Sequence, residues 1–224
     1  TYSLGTDGGE SASEFTINPQ TGAITTTRTL DRELVPGYFL TVTARDGGVP
    51  PLSDTINVEI SVTDVNDNAP VFEAAQYQGS IPEDVAGGTS VLRVSATDAD
   101  TDLNGRVRYA LEDDGDGAFA VDSTTGVIRT AKPLDRESVA MYTLKAVAMD
   151  RGSPSLSTVV PVTIKIQDVN DSPPAFENDK IVLYIAENSP IGSTVGEIYA
   201  HDPDEGPNAV VQYSVIGGED SNSF

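Results

Sequence analysis

The sequence predicts an all-β protein built of tandem immunoglobulin-like Greek-key β-sandwiches, and three observations carry that prediction. A set of residues recurs at one fixed offset of 104 positions, about the length of one small domain. Short runs alternate apolar with polar residues, the period of a half-buried strand. Gly-, Pro- and Asp-rich turns separate those runs, and no long 3.6-period segment with caps interrupts them.

The repeat is legible residue by residue. LDRE at Leu30–Glu33 returns at Leu134–Glu137, and DVND at Asp64–Asp67 returns at Asp168–Asp171. Asp46 returns at Asp150, Glu83 at Glu187, the pair Asp98 and Asp100 at Asp202 and Asp204, and Asn104 at Asn208. No insertion or deletion separates these copies. Length varies elsewhere: Tyr2 to Phe15 spans 13 positions, Tyr109 to Phe119 spans 10 and Tyr213 to Phe224 spans 11. The inserted residues there are Gly, Asp, Glu and Ser, which predicts a tolerant surface loop.

The strands follow in order. Ile56, Val58, Ile60 and Val62 alternate with Asn57, Glu59, Ser61 and Thr63, and Val160, Val162, Ile164 and Ile166 repeat the pattern. Phe39–Thr43 and Tyr142–Ala146 read as the strands just before them; Val91–Ala96 and Thr194–Ala200 read as earlier ones. DGGVPPLS (Asp46–Ser53) and DRGSPSLS (Asp150–Ser157) are the turns between strands. DVNDNAPVF (Asp64–Phe72) and DVNDSPPAF (Asp168–Phe176) follow directly on the last strand of a copy, without a Gly/Ser linker. The predicted organisation is therefore 1–69, 70–172 and 173–224, with only the middle segment holding all its strands.

Composition narrows the function classes. The formal charge of −22 argues against nucleic acid, which requires clustered Lys and Arg, and against attraction to an anionic membrane surface. No run approaches the length of a membrane-spanning helix, and no signal peptide opens the chain. The chain has no cysteine, so no disulfide staples it. An acidic surface alone could account for the charge, yet a merely solvated face has no reason to keep its spacing from copy to copy.

The junction acids need a cation. Two carboxylates about 4 Å apart repel by about 4 kcal/mol at an effective dielectric near 20. Calcium takes six to eight oxygens in irregular geometry, magnesium demands a stricter octahedron, and zinc prefers His or Cys. With one His and no Cys, zinc is a poor organiser and calcium the best match.

A Glu near a first strand, LDRE, AxDxG, the DxNDNxP junction and the DxD of the following copy together resemble cadherin extracellular repeats over the whole chain. That resemblance implies three calcium ions per complete junction. At the first junction it implies Asp31, Glu33, Asp64, Asn66, Asp67, Asp98, Asp100, Asn104 and Asp150 as ligands, with the carbonyls of Val65 and Asn68. At the second it implies Glu83, Asp135, Glu137, Asp168, Asn170, Asp171, Asp202, Asp204 and the carbonyl of Asn208, with those of Val169 and Ser172. Each junction is expected to lack one carboxylate, an upstream Glu in the first and a last Asp in the second, and the flanking segments to be half-domains that fold poorly alone. Asp46 and Glu187 are expected to point to junctions outside the chain.

Departures are few. Ser172 stands where Asn is usual, at a position that gives its main-chain oxygen. Asn170-Asp171-Ser172 matches a glycosylation sequon, but a glycan would remove a ligand, so the match reads as unused. Asp102, Asp113, Asp114 and Asp116 read as solvated loop acids, and His201 as an exposed residue without a role.

The resemblance implies an extracellular part of a plasma-membrane protein, its transmembrane segment elsewhere, with another cadherin ectodomain as homophilic partner. No nucleic acid and no direct membrane contact are expected. The tail EIYAHDPDEGPNAVVQYSVIGGEDSNSF (Glu197–Phe224) resembles the seven-pass (Flamingo/Celsr-type) cadherins, which implies homophilic cell–cell contact and planar polarity signalling. Two other readings stand beside this one. A hydrolase would use paired acids, but needs two carboxylates in different environments, whereas here the same acids recur in each copy. A calcium-stiffened scaffold without homophilic adhesion fits the same residues.

Overall fold

Alternating β-branched and polar residues dictate strands, and the computed structural model, which describes residues 1–5 and 13–217, contains strands and no α-helix among them. The variable loop predicted between Tyr2 and Phe15, and the stretch ending at Phe224, lie in part outside the described residues. Among the described residues no helix is long and apolar enough to cross a membrane. The strands are β1 (Tyr2–Leu4), β2 (Phe15–Ile17), β3 (Ile24–Thr26), β4 (Gly37–Arg45), β5 (Ser53–Ser61), β6 (Val71–Phe72), β7 (Tyr77–Pro82) and β8 (Ser90–Arg93). They continue as β9 (Ala96–Thr97), β10 (Arg108–Asp113), β11 (Phe119–Val121), β12 (Val127–Thr130), β13 (Met141–Met149), β14 (Ser157–Gln167), β15 (Ala175–Phe176) and β16 (Ala200–His201).

Two compact units divide the chain. The first comprises Thr1–Val71, Ala96–Arg108 and Ala148–Thr158; the second comprises Phe72–Ser95, Tyr109–Val147 and Val159–Phe224. In the first, β1–β4–β5 form an antiparallel sheet and β2–β3 a hairpin. Its core is Phe15, Tyr38 and Leu40, with Phe15 and Tyr38 in edge-to-face contact at 5.0 Å. In the second, the sheets run β10–β13–β14–β7 and β11–β12–β8, the two layers of a sandwich. Val94, Ile128, Leu144, Val162, Ile164 and Ile166 are fully buried there.

The two strand-alternation patterns that look alike in sequence bury differently. Val160, Val162, Ile164 and Ile166 are at most 3% exposed, whereas Ile56 is 65% exposed. β14 has a parallel neighbour, β7, paired from Val162↔Tyr77 to Gln167↔Pro82, while β5 is the edge of its sheet.

The expected strand Thr194–Ala200 is corrected: only Ala200 belongs to a strand, in the short β15–β16 pair with Ala175↔His201 and Phe176↔Ala200. Its equivalent in the preceding copy, β8, pairs with β12, and no counterpart of β12 lies among the described residues. A strand without a partner leaves its backbone groups unpaired and does not form. Ile181, Leu183 and Ile185, which match β7 at the 104 offset, stay exposed for the same reason.

Candidate metal centre

Each unit gathers one set of junction acids. In the first, Asp31 accepts from Leu34 N (3.1 Å) and fixes the LDRE turn. Glu33, Asp64 and Asp100 each offer an oxygen within 4.8 Å of the others. The DxD loop is an Asx-turn, with Asp100 N donating to Asp98 Oδ1 at 2.9 Å. Asn68 Nδ2 bridges Asp67 (2.8 Å) and Asp100 (2.8 Å). Asn104 Nδ2 donates to Asp64 Oδ2 at 2.8 Å, and Asn66 Nδ2 to the Pro154 carbonyl at 2.7 Å. The Val65 carbonyl accepts from Asp67 N at 2.9 Å. Asp150, fully buried, accepts from Gly152 N (2.9 Å) and Leu156 N (3.0 Å).

The second unit repeats this construction. Asp135 accepts from Ser138 N (3.1 Å) and Ser138 Oγ (2.8 Å), Asp204 N donates to Asp202 Oδ1 (3.0 Å), and Asn208 Nδ2 donates to Asp168 Oδ2 (2.9 Å). Glu83 is buried at the end of β7 and accepts from Arg136 N (2.6 Å) and Val169 N (2.8 Å). Glu83, Glu137 and Asp168 form one close oxygen triplet, and Glu137, Asp171 and Asp204 another. Ser172 Oγ lies 3.4 Å from Asp171, and Asn170 is exposed.

The charges are only partly settled. Burial, and then the charges of Asp100, Asp150 and Asp64, push the Asp98 carboxyl above the ordinary range. Burial and then Asp202 and Asp168 push up Asp204, and burial followed by the charge of Glu83 pushes up Glu137. Asp64 and Asp168 go the other way. Burial opposes their charge, but hydrogen bonds from Asn104 and Thr101 N to Asp64, and from Glu205 N and Asn208 to Asp168, outweigh it together with an arginine at each. Asp150 is likewise held low, its burial overcome by Leu156 N, Asn66 and Gly152 N.

Buried oxygens remain without a hydrogen-bond partner: Asp98 Oδ2, Asn66 Oδ1 and both Asp204 carboxylate oxygens. A buried acceptor left unpaired costs free energy. Carboxylate and amide oxygens clustered at irregular spacing are the donor set of a hard cation such as calcium, so the residues present fit that ion.

Outside the clusters, Asp46 and Glu187 are exposed. Asp113 and Asp114 accept from Gly115 N (3.1 Å) and Gly117 N (2.9 Å) in an exposed turn, while Asp102, Asp116 and His201 are also exposed. Sequence reasoning gave Asn208 a carbonyl role and Asn104 a ligand role; their side-chain amides each tie to the first Asp of DVND. It gave Arg32 and Arg136 no role, although each is the lone cation inside its LDRE motif. Arg32 pairs with Glu33 and Asp64, and Arg136 with Glu137 and Asp168.

Comparison with known proteins is consistent along the chain. The family model of the Cadherin domain matches residues 1–63 and 77–167. The protocadherin-like wing polarity protein stan of Drosophila melanogaster is 62% identical over 229 residues, covering 100% of this chain and 6% of that protein. The human cadherin EGF LAG seven-pass G-type receptor 2 is 52% identical over 211 residues, covering 93% of this chain and 7% of the receptor. The chain thus spans a small fraction of the curated relatives it matches. Among solved structures, mouse cadherin-23 EC22-24 superposes with a TM-score of 0.84 at 37% identity, covering 93% of this chain and 67% of that one. The protocadherin gammaB7 EC3-6 cis-dimer structure gives 0.79 at 31% identity, covering 99% of this chain and 55% of that one. The chain belongs to the cadherin family, an all-β family of adhesion ectodomains and not of enzymes, and its relatives at 47–62% identity are seven-pass cadherins of the stan and Celsr kind.

Proposed function

We propose that the chain is part of a calcium-dependent cell-adhesion ectodomain whose repeats, 1–69, 70–172 and 173–224, are made rigid at their junctions by about three calcium ions each. The observation that carries this is the pair of acid clusters, whose LDRE, DVND and DxD acids match at the 104 offset, with buried carboxylate oxygens left unpaired. Bound calcium supplies the positive charge that lets these acids stay close. The chain does the rest. The LDRE turn presents Asp31 and Glu33 in one joint and Asp135 and Glu137 in the other, the DVND segment leaves its strand without slack, and the Asx-turn of the DxD loop aims the third set of acids at the first two. Glu83 binds Arg136 N and Val169 N, so it holds LDRE and DVND of its joint together.

Extracellular modules bind calcium with dissociation constants of about 10⁻⁴–10⁻³ M. At a free concentration ten times that constant, one site adds only about 1.4 kcal/mol, so stiffness requires several coupled sites per joint. Small-angle scattering of the chain, extended to whole repeats, tests this: chelation should shorten and broaden the distribution of end-to-end lengths. An envelope unchanged by chelation refutes the calcium-stiffened joint.

The seven-pass relatives support placing this chain outside the cell as part of a plasma-membrane receptor in planar polarity signalling, with a second cadherin ectodomain as homophilic partner. Calcium-dependent aggregation of beads coated with the extended ectodomain distinguishes that from a stiff scaffold without homophilic contact.

A further inference from the structure

Among the described residues, one guanidinium sits in each acid cluster and makes the same contacts in both. Arg32 pairs through Nη2 with Glu33 and through Nε with Asp64, and its Nη2 donates to the Ala99 carbonyl at 2.8 Å. Arg136 pairs through Nη2 with Glu137 and through Nε with Asp168, and its Nη2 donates to the Pro203 carbonyl at 2.7 Å. Ala99 lies between the two acids of one DxD loop, and Pro203 between those of the other. Each arginine therefore ties together LDRE, DVND and DxD, the three segments that bring acids to a joint. Both side chains are largely buried, 14% and 12% exposed. Each also holds two of the three acids in a close oxygen triplet of its cluster: Glu33 and Asp64 of the first, Glu137 and Asp168 of the second.

We propose that Arg32 and Arg136 are built-in counter-ions that hold the three segments together when calcium is absent, and that calcium binding weakens their grip on the shared carboxylates. The inference rests on calcium being the ion of these joints. A planar, singly charged fork bonds two or three oxygens well but cannot serve a whole cluster. Asp98 Oδ2 and both Asp204 carboxylate oxygens accordingly stay unpaired beside it. A dication that shares Glu33 and Asp64 draws their charge away from the guanidinium and repels it. A group that favours the ion-free form more than the loaded form must, by linkage, weaken ion binding. The arginines would thus set the calcium concentration at which the joints load, while keeping an unloaded joint from springing apart.

The test uses the 224-residue chain with Arg32→Gln, Arg136→Gln and both together, with calcium alone as the probe. Melting in chelator and in saturating calcium is compared with calcium titration against a competing chelator. The substitutions should lower Tm in chelator, leave it nearly unchanged in saturating calcium, and lower the half-saturating calcium about fivefold. Arg136→Lys, which keeps the charge without the fork, should fall between. Equal loss of Tm in both conditions would make the arginines ordinary scaffold and overturn the proposal. Unchanged or weaker calcium binding in the variants would also overturn it. If a Gln variant is unfolded in chelator, the Lys variant carries the same comparison. A wild-type chain that takes up no calcium would instead overturn the junction reading on which the proposal rests.

Discussion

Glu83→Gln separates a ligand from a local tie. Glu83 is 3% exposed, and its two oxygens accept from Arg136 N at 2.6 Å and Val169 N at 2.8 Å. Hydrogen bonds to a charged partner contribute about 1.5–3 kcal/mol each. Glutamine keeps one acceptor and turns an amide N–H toward the other backbone donor, so one bond is lost and a buried N–H goes unpaired. Relief of repulsion with Glu137, whose carboxyl Glu83 pushes up, returns part of that. The net loss in chelator is about 2–3 kcal/mol. In saturating calcium a ligand disappears as well, and the gap should widen by a further amount of about 1.4 kcal/mol or more. Scanning calorimetry with and without chelator measures both, at about 4–8 °C of Tm per kcal/mol for a repeat of about 100 residues. Glu187→Gln is the matched control, since Glu187 occupies the equivalent position 104 residues later but is exposed; its effect should stay within about 0.5 kcal/mol. Equal losses for Glu83→Gln in chelator and in calcium would refute the ligand assignment. A costly Glu187→Gln would refute the argument from local bonding.

Other outcomes follow from the same geometry. Asp122 Oδ1 accepts from Thr125 N (2.8 Å) and Thr124 N (3.0 Å), and these bonds, Thr125 first, hold its carboxyl below the ordinary value of 3.8. A carboxyl lowered on folding adds stability above its unfolded value, and that stability is lost as pH falls from there through the folded value. Asn18, at the matching position, makes the same turn with Gln20 N (2.9 Å) and Thr21 N (3.0 Å) without titrating. Asp122→Asn should therefore keep the turn and flatten the acid limb of denaturant-measured stability against pH; parallel limbs would contradict this. Ile164→Ala, at a fully buried site on β14, should cost about 3–4 kcal/mol by urea denaturation, and a loss under about 1 kcal/mol would mean the sandwich core does not close around it.

Much of this fold could be read from spacing because a strand's period survives into three dimensions. Val160 to Ile166 alternate in sequence and all four apolar residues are buried. The acids were legible for a related reason: motifs repeated without insertion hold the same places in each copy, and the Asx-turns at Asp98 and Asp202 reproduce each other to within a tenth of an ångström. What depended on a partner strand was not legible. Thr194–Ala200 has the composition of a strand, but pairing is a property of two segments, and its mate is not among the described residues. The amides of Asn66, Asn104 and Asn208 were hidden because an Asn beside acids reads as one more oxygen, whereas here its N–H group binds a carboxylate or a carbonyl. Arg32 and Arg136 were hidden among so many acids for the opposite reason, since a cation in an anion-rich motif reads as decoration.

The parallel pairing of β7 with β14 bears on how this repeat carries load. Tension entering at the start of β7 and leaving at the end of β14 acts at opposite ends of the register, at Tyr77↔Val162 on one side and Pro82↔Gln167 on the other. The hydrogen bonds are then pulled along the strand axis and share the force together, where a hairpin pulled from one end would give them up one at a time. Glu83 extends that lap joint past the last strand pair, its N donating to Gln167 O and its Oε1 accepting from Val169 N, so the acid cluster begins where the shear-loaded seam stops.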